Sequence, residues 1–287
     1  LLIVVCADAK DKPKAKKEDA GGKLKYSIMV KKFEHEAGWR GHWDIGHGFK
    51  TIMTAAMQDS GRFTVLGDDE MRREAMEEQD LVESGRTAGG KKAPPKGQMT
   101  PAQLMVRGSI THVQTVGGGS GGINIKGFNV GGSKDKSEVN ITFYLVDTRT
   151  GQVKASTKVV GKSSNKGLSA GYSGSALGGL TGDVAGFKKD NVGKACEDAI
   201  NQGIDFIVEQ LEKIPWEGTI IKAGEKILIN RGSREGVGVG AKFRVGKTEE
   251  ISDPDTGEVL DVDVVQAGVI EITEVKEKIS YAKAIEG

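Results

Sequence analysis

The sequence predicts a mixed α/β (α+β) domain that carries two glycine-rich β-hairpin insertions, followed by a small all-β domain. Three observations support this fold class. Strand and helix patterns alternate between residues 24 and 213, glycine is concentrated between residues 117 and 186, and only short strands separated by tight turns follow Trp216. With 41 basic and 40 acidic residues among 287, the overall charge provides no attraction to nucleic acid.

The first half of the α/β domain alternates between strands and amphipathic helices. Its last helix carries an acidic first turn, with Asp68 placed to cap it, and is charged enough to lie on the surface. The predicted elements are a strand from Lys25 to Phe33, a helix from Gly48 to Asp59, a strand from Arg62 to Leu66 and a helix from Asp69 to about Leu81.

The second half of this domain is dominated by strands and ends in one long helix. After a loop over residues 84–100 we expect a short helical turn at Pro101–Met105. The remaining elements are strands at Val106–Val116, Val139–Val146 and Gln152–Lys162, and a helix from Asn191 to Lys213 that Pro215 stops.

Residues 217–287 contain six short strand patterns and a hairpin turn at Pro254–Gly257. This arrangement predicts an SH3-like, partly open barrel. Acidic residues outnumber basic residues here, which argues against a nucleic-acid partner.

The first residues are typical of an exported protein. Leu1–Val5 is an apolar run that is too short to span a bilayer, and we interpret residues 1–9 as the remnant of a signal peptide rather than an ordinary strand. Cleavage after Ala9 competes with lipidation at Cys6, and the bulky Val5 slightly favours the first. Residues 10–23 form a basic linker.

The glycine-rich region contains two candidate membrane hairpins, at residues 111–139 and 153–186. Alternating apolar and polar residues are what a membrane β-barrel strand requires, and only a closed ring of strands satisfies the backbone in lipid. Flexible glycine loops on a soluble protein are the alternative. The candidate lipid-facing residues are Ile123, Ile125, Phe128, Val153, Ala155, Val159, Leu168 and Tyr172.

Two stretches are specific enough to indicate a family. They are Ser60-Gly61-Arg62-Phe63-Thr64-Val65-Leu66 and Val146-Asp147-Thr148-Arg149-Thr150-Gly151-Gln152-Val153. With Val106–Ile110 between them, the region from about residue 24 to 213 resembles the CsgG family of curli-type secretion channels.

The resemblance implies an outer-membrane lipoprotein whose periplasmic domains form a homo-oligomeric ring. Each subunit of such a channel contributes two β-hairpins to one barrel, through which unfolded secreted subunits pass. The constriction loop is expected near residues 34–46. Its candidate residues are Glu34, His35, Glu36, Trp39, His42 and Trp43.

The small C-terminal domain is additional to that family pattern and resembles the terminal domain of flagellar-collar proteins of the FlgT type. A soluble periplasmic scaffold is therefore the alternative function, and residues 217–287 are expected to contact a periplasmic accessory protein. The His35, His42 and His47 cluster matches no compact metal-ligand spacing, and no catalytic motif is present. We expect that the protein binds no cofactor and is not an enzyme.

Overall fold

The computed structural model describes residues 3–6, 24–36, 44–91, 93–116, 123–125, 128–130, 136–163, 191–214, 216–257 and 259–287. These residues form two compact units. One is Ser27–Val208, and the other combines Leu1–Tyr26 with Glu209–Gly287.

The first unit is built on a mixed sheet with the strand order β4-β2-β5-β8-β9. Strand β2 lies parallel to β5, whereas β8 lies antiparallel to both of its neighbours, β5 and β9. The strands are β2 (Tyr26–Val30), β3 (Glu34–His35), β4 (Phe63–Val65), β5 (Leu104–Val116), β8 (Lys136–Asp147) and β9 (Val153–Lys162), and the short pair β6 (Ile123–Ile125) and β7 (Phe128–Val130) lies between β5 and β8 in the chain.

Three helices accompany this sheet: α1 (Ile45–Asp59), α2 (Asp69–Glu83) and α3 (Asn191–Leu211). The core contains an aromatic cluster in which the ring centroids of Phe33 and Phe49 are 4.5 Å apart, and those of Phe33 and Phe143 are 5.5 Å apart. All three rings are fully buried, so the cluster ties the end of β2, α1 and β8 together.

Helix α2 differs from α1 and α3 because it has no buried residue. As predicted, Asp68 is its N-cap and accepts a hydrogen bond from the Met71 N–H. The Asp68 carboxylate also pairs with Lys50, and this partner, together with the Met71 N–H, holds the pKa of Asp68 below its usual range.

The second unit contains a sheet with the strand order β1-β12-β13-β14-β11-β10. Its core includes Trp216, stacked on Phe243 with ring centroids 5.2 Å apart. The strands are β1 (Ile3–Cys6), β10 (Ile220–Lys222), β11 (Ile227–Ile229), β12 (Lys242–Ser252), β13 (Val259–Val275) and β14 (Ser280–Glu286), with a short 3-10 helix at Ser233–Glu235.

The structure corrects several local predictions. Helix α1 begins at Ile45 rather than Gly48, because Asp44 caps it by accepting a hydrogen bond from His47 N–H. Residues 101–105 do not form a helical turn, since β5 already begins at Leu104. Two of the six strand patterns predicted after residue 217, at 258–265 and 268–275, belong to one continuous strand, β13.

Residues Ile3–Cys6 form an antiparallel ladder with Arg244–Lys247. A strand therefore lies where the sequence favours a signal-peptide remnant. Removal of residues 1–9 and lipidation of Cys6 both stay predictions.

Candidate functional site

The first candidate site begins at Phe33, three residues after β2 ends at Val30. A Cβ atom added at Gly46 would lie 2.3 Å from the Phe33 carbonyl oxygen, and one added at Gly108 would lie 2.2 Å from the Phe33 ring. Real Cβ atoms are not found so close to other heavy atoms, so only glycine fits at either position. These contacts fix the point from which the predicted constriction segment departs.

The two ends of that segment are also joined by an ion pair. Lys32 Nζ lies 2.5 Å from Asp44 Oδ2, and both side chains are more than half exposed. Burial opposes ionisation of Asp44, but hydrogen bonds from Lys32 and the His47 N–H outweigh it and hold the pKa of Asp44 below its usual range. The chain therefore leaves the core at residue 33 and returns at residue 44, and these two points are held close together.

The three predicted constriction residues that the structure describes lie together at the start of this loop. Glu34 and His35 form β3, parallel to Ser109 and Ile110 of β5, and the Glu36 N–H donates to the Ile110 carbonyl. All three side chains are exposed, and Glu34 pairs with Arg107. A cleft of about 670 Å³ is lined by residues 32–36, Asp44 and Ile45.

The other predicted constriction residues, Trp39, His42 and Trp43, lie outside the described residues. Among the residues that the structure describes, no three His, Cys, Asp or Glu side chains are grouped closely enough to hold a metal ion. His47 lies in the first turn of α1, so the helix fixes its place in the site.

The first candidate hairpin extends the antiparallel ladder between β5 and β8. The ladder continues to the pair Val116 and Lys136, and the β6–β7 pair lies within the segment that connects them. Ile123 is paired with Val130, and Ile125 with Phe128. The three candidates Ile123, Ile125 and Phe128 therefore lie at paired positions of β6 and β7, and their contact with lipid stays a prediction.

The second candidate hairpin begins with β9, where the structure overturns part of the prediction. A bulge in the β8–β9 ladder pairs Leu145 with Ala155 but Val146 with Val153. Because Leu145 and Val146 point to opposite faces, Val153 and Ala155 do as well, so the single apolar face predicted for β9 does not exist.

Val159 is also misassigned as a lipid-facing residue, because it is only 7% exposed and shares its face with Gly161. A Cβ atom at Gly161 would lie 1.9 Å from the Ala195 carbonyl oxygen, so α3 covers that face. Leu168 and Tyr172 lie outside the residues that the structure describes.

A family model described as "Curli production assembly/transport component CsgG" matches residues 10–222, well over half of the chain. The chain belongs to the CsgG family. Membership makes it a component of export or assembly in the bacterial cell envelope, and the match extends beyond the region from 24 to 213 on which the sequence resemblance rests.

Solved structures similar to this CsgG-family chain include a hypothetical protein, CT253, from Chlamydia trachomatis. It is 12% identical, with a TM-score of 0.34, over 66% of this chain and 96% of the other. The PelC dodecamer from Paraburkholderia phytofirmans is 13% identical, with a TM-score of 0.27, over 50% and 76%. Lipoprotein GNA1162 from Neisseria meningitidis is 14% identical, with a TM-score of 0.26, over 66% and 99%. No curated protein matches the chain.

Each described helix of this CsgG-family chain, α3 included, lacks the length or the apolarity of a membrane span. Sequence reasoning missed Gly46, Gly108 and Arg107 as residues that shape the site. The close contact at Gly108 could have been predicted, since an isolated glycine inside a strand often marks the close approach of another group. Arg107 had none, because its partner Glu34 is distant in the sequence.

Proposed function

We propose that this chain is a subunit of a homo-oligomeric outer-membrane channel that exports extracellular, curli-like protein subunits. One observation carries the proposal: β5, β8 and β9 form a single ladder, and the CsgG-family chain inserts its glycine-rich segments at one end of it. The hairpins predicted at residues 111–139 and 153–186 would supply the barrel strands from the parts that extend beyond β5, β8 and β9, at residues 117–135 and 163–186. The ring would be formed by residues 24–213.

The loop that starts at Phe33 would narrow the passage. Its two bases are held by Gly46 and by the Lys32–Asp44 pair, and Glu34, His35 and Glu36 are exposed beside them. A loop that is held at both bases and begins with exposed charged residues is suited to a ring of side chains around a pore. The transport proposed here involves no catalytic step and no cofactor.

The second unit would face the periplasm and contact an accessory protein through residues 217–287. Its strand order, with β1 and β10 at the two ends, is compatible with the SH3-like, partly open barrel that the sequence predicts. Lipidation at Cys6 would attach the chain to the outer membrane, whereas cleavage after Ala9 would release its N-terminus.

A soluble periplasmic scaffold without a pore, comparable to a FlgT-type collar, is the second candidate. The bulge in β9 favours it, because a strand that turns Val153 and Ala155 to opposite faces has no continuous lipid-facing side there. The burial of Val159 points the same way.

The deciding experiment expresses the chain with a complete signal peptide, fractionates the envelope and extracts the outer membrane with mild detergent. The channel predicts detergent-dependent rings with a central pore in electron micrographs. A particle that carbonate releases from the membrane, ring-shaped or not, would exclude the channel and support the scaffold.

A further inference from the structure

The face of the sheet turned away from α3 carries exposed apolar residues and lysines side by side. We name this the outer face, and it consists of the residues of β5, β8 and β9 that alternate with those under α3. Its exposed apolar residues are Tyr144, Val153 and Val160, which are 37%, 56% and 39% exposed. These side chains are available for contact with another molecule.

Strand β9 lies at the end of the sheet order and carries three lysines along its length. Lys158 is exposed and lies opposite Thr142 on the outer face. Lys154 and Lys162 are 38% and 46% exposed and pair weakly with Asp147 and Glu138 at 3.7 and 3.5 Å. Lysines discourage random pairing at an edge, but these also give the outer face a positive margin.

Helix α2 presents a surface of the opposite charge. Its fifteen residues include seven acidic side chains and two arginines. Glu70, Glu74, Glu77 and Leu81 follow one another at helical spacing, and we name this row the acidic stripe. All four side chains are exposed, Leu81 is 36% exposed, and Arg73 beside Glu77 is the nearest opposing charge at 3.8 Å.

The two surfaces carry opposite charges, and the outer face is large enough to accept the helix. A helix of fifteen residues is about 22 Å long and about 10 Å wide. Strand β9, with ten residues, extends over about 34 Å, and β5, β8 and β9 together are about 10 Å wide. Carboxylates along the stripe would meet the β9 lysines while Leu81 meets exposed apolar residues of the outer face.

We propose that the acidic stripe of one copy of this chain binds the outer face of the next copy. The proposal rests on the homo-oligomer of the proposed function and assigns its subunit contact. Because stripe and outer face are different surfaces, the contact is head-to-tail, which is the type that generates closed rings. Opposite charges at the contact would speed assembly and fix its register.

The test reverses each surface in the full chain and measures particle mass by sedimentation in detergent. The stripe variant carries E70K, E74K and E77K, and the β9 variant carries K154E, K158E and K162E. Each variant alone brings like charges together and is expected to be monomeric. In a mixture of the two, opposite charges meet wherever the variants alternate, and assemblies larger than the monomer are expected. The chain that carries all six changes restores every contact and is expected to form wild-type rings.

The matched control for the stripe variant, E225K, E249K and E286K, makes the same change in net charge as that variant at exposed positions of the second unit and is expected to form wild-type rings. Rescue on mixing cannot come from misfolded chains, so it supports the contact. Wild-type mass in either reversed variant, or monomers that no mixture rescues, would overturn it. A monomeric wild type would overturn the proposed function as well.

Discussion

The backbone of Ala195 lies directly against Gly161, where an added Cβ atom would come within 1.9 Å of the Ala195 carbonyl oxygen. Helix α3 and strand β9 therefore touch through their backbones. The second glycine-rich segment begins just after this contact, so its point of departure from the core is fixed as firmly as Phe33 fixes the constriction segment.

Gly161→Ala should destabilise the first unit, because the new methyl group has nowhere to go between β9 and α3. Overpacking of this kind costs typically about 1–3 kcal/mol, and the backbone neighbour cannot rotate aside. Urea unfolding followed by circular dichroism measures the loss. Gly89→Ala is the matched control and should be nearly neutral, since nothing lies within 4 Å of the position that its new Cβ atom would take.

Asp68→Ala should destabilise the protein more than Asp68→Asn. Alanine removes both the cap of α2 and the partner of Lys50, whereas asparagine still caps the helix. Loss of a cap costs typically about 1 kcal/mol. Thermal melting at neutral pH measures both variants, and equal losses would mean that the cap contributes nothing.

The pair of Asp68 and Lys50 also predicts that the stability of the protein depends on pH. Since the folded pKa of Asp68 is lowered, its contribution is complete above the unfolded pKa of about 3.9 and is lost as pH falls through the folded value. Melting temperatures of wild type and Asp68→Asn should therefore converge below pH 4. A constant difference down to pH 2 would contradict this assignment.

Replacing residues 118–135 by a Gly-Ser segment of equal length should abolish membrane insertion if the channel proposal is correct. The β5–β8 ladder that closes at Val116 and Lys136 should survive, so the protein stays folded. Carbonate extraction of the envelope measures insertion, and circular dichroism controls for the fold. Unchanged extraction behaviour would favour the soluble scaffold.

Glu36→Gln should lower the preference of the channel for cations, because a carboxylate repeated around the ring would be removed from the constriction. Reversal potentials in planar bilayers under a salt gradient measure the preference. Glu286→Gln removes an equally exposed carboxylate from the second unit and should leave the potential unchanged. Equal effects of both variants would place Glu36 away from the narrowest point.

The helices and most strands could be predicted from the sequence because their signals are local. Asp68 caps α2 as predicted, and the apolar stripe of α3 is buried at Ala195, Ala199 and Ile204. Helix α1 begins one turn earlier than the sequence predicts. Gly46 and His47 give no local helix signal, and the first turn depends on the close contact of Gly46 with Phe33.

The faces of β9 could not be predicted in the same way. Alternation correctly placed Ala155 and Val159 together, but the bulge that separates Val153 from them depends on pairing with β8. Likewise, nothing in the local sequence around Val159 shows that α3 will cover it. Register and helix packing are long-range properties, and a pattern within one strand does not contain them.

Both glycine-rich segments leave the sheet beside strand β8. This strand pairs with β5, which precedes the first segment, and with β9, which precedes the second. The positions of both segments relative to the core therefore depend on the register of one strand. A slip of β8 by two residues would raise or lower both together by about 7 Å, whereas neither can change its height alone without breaking a ladder. If both reach the same bilayer, their depths are set once, by this strand.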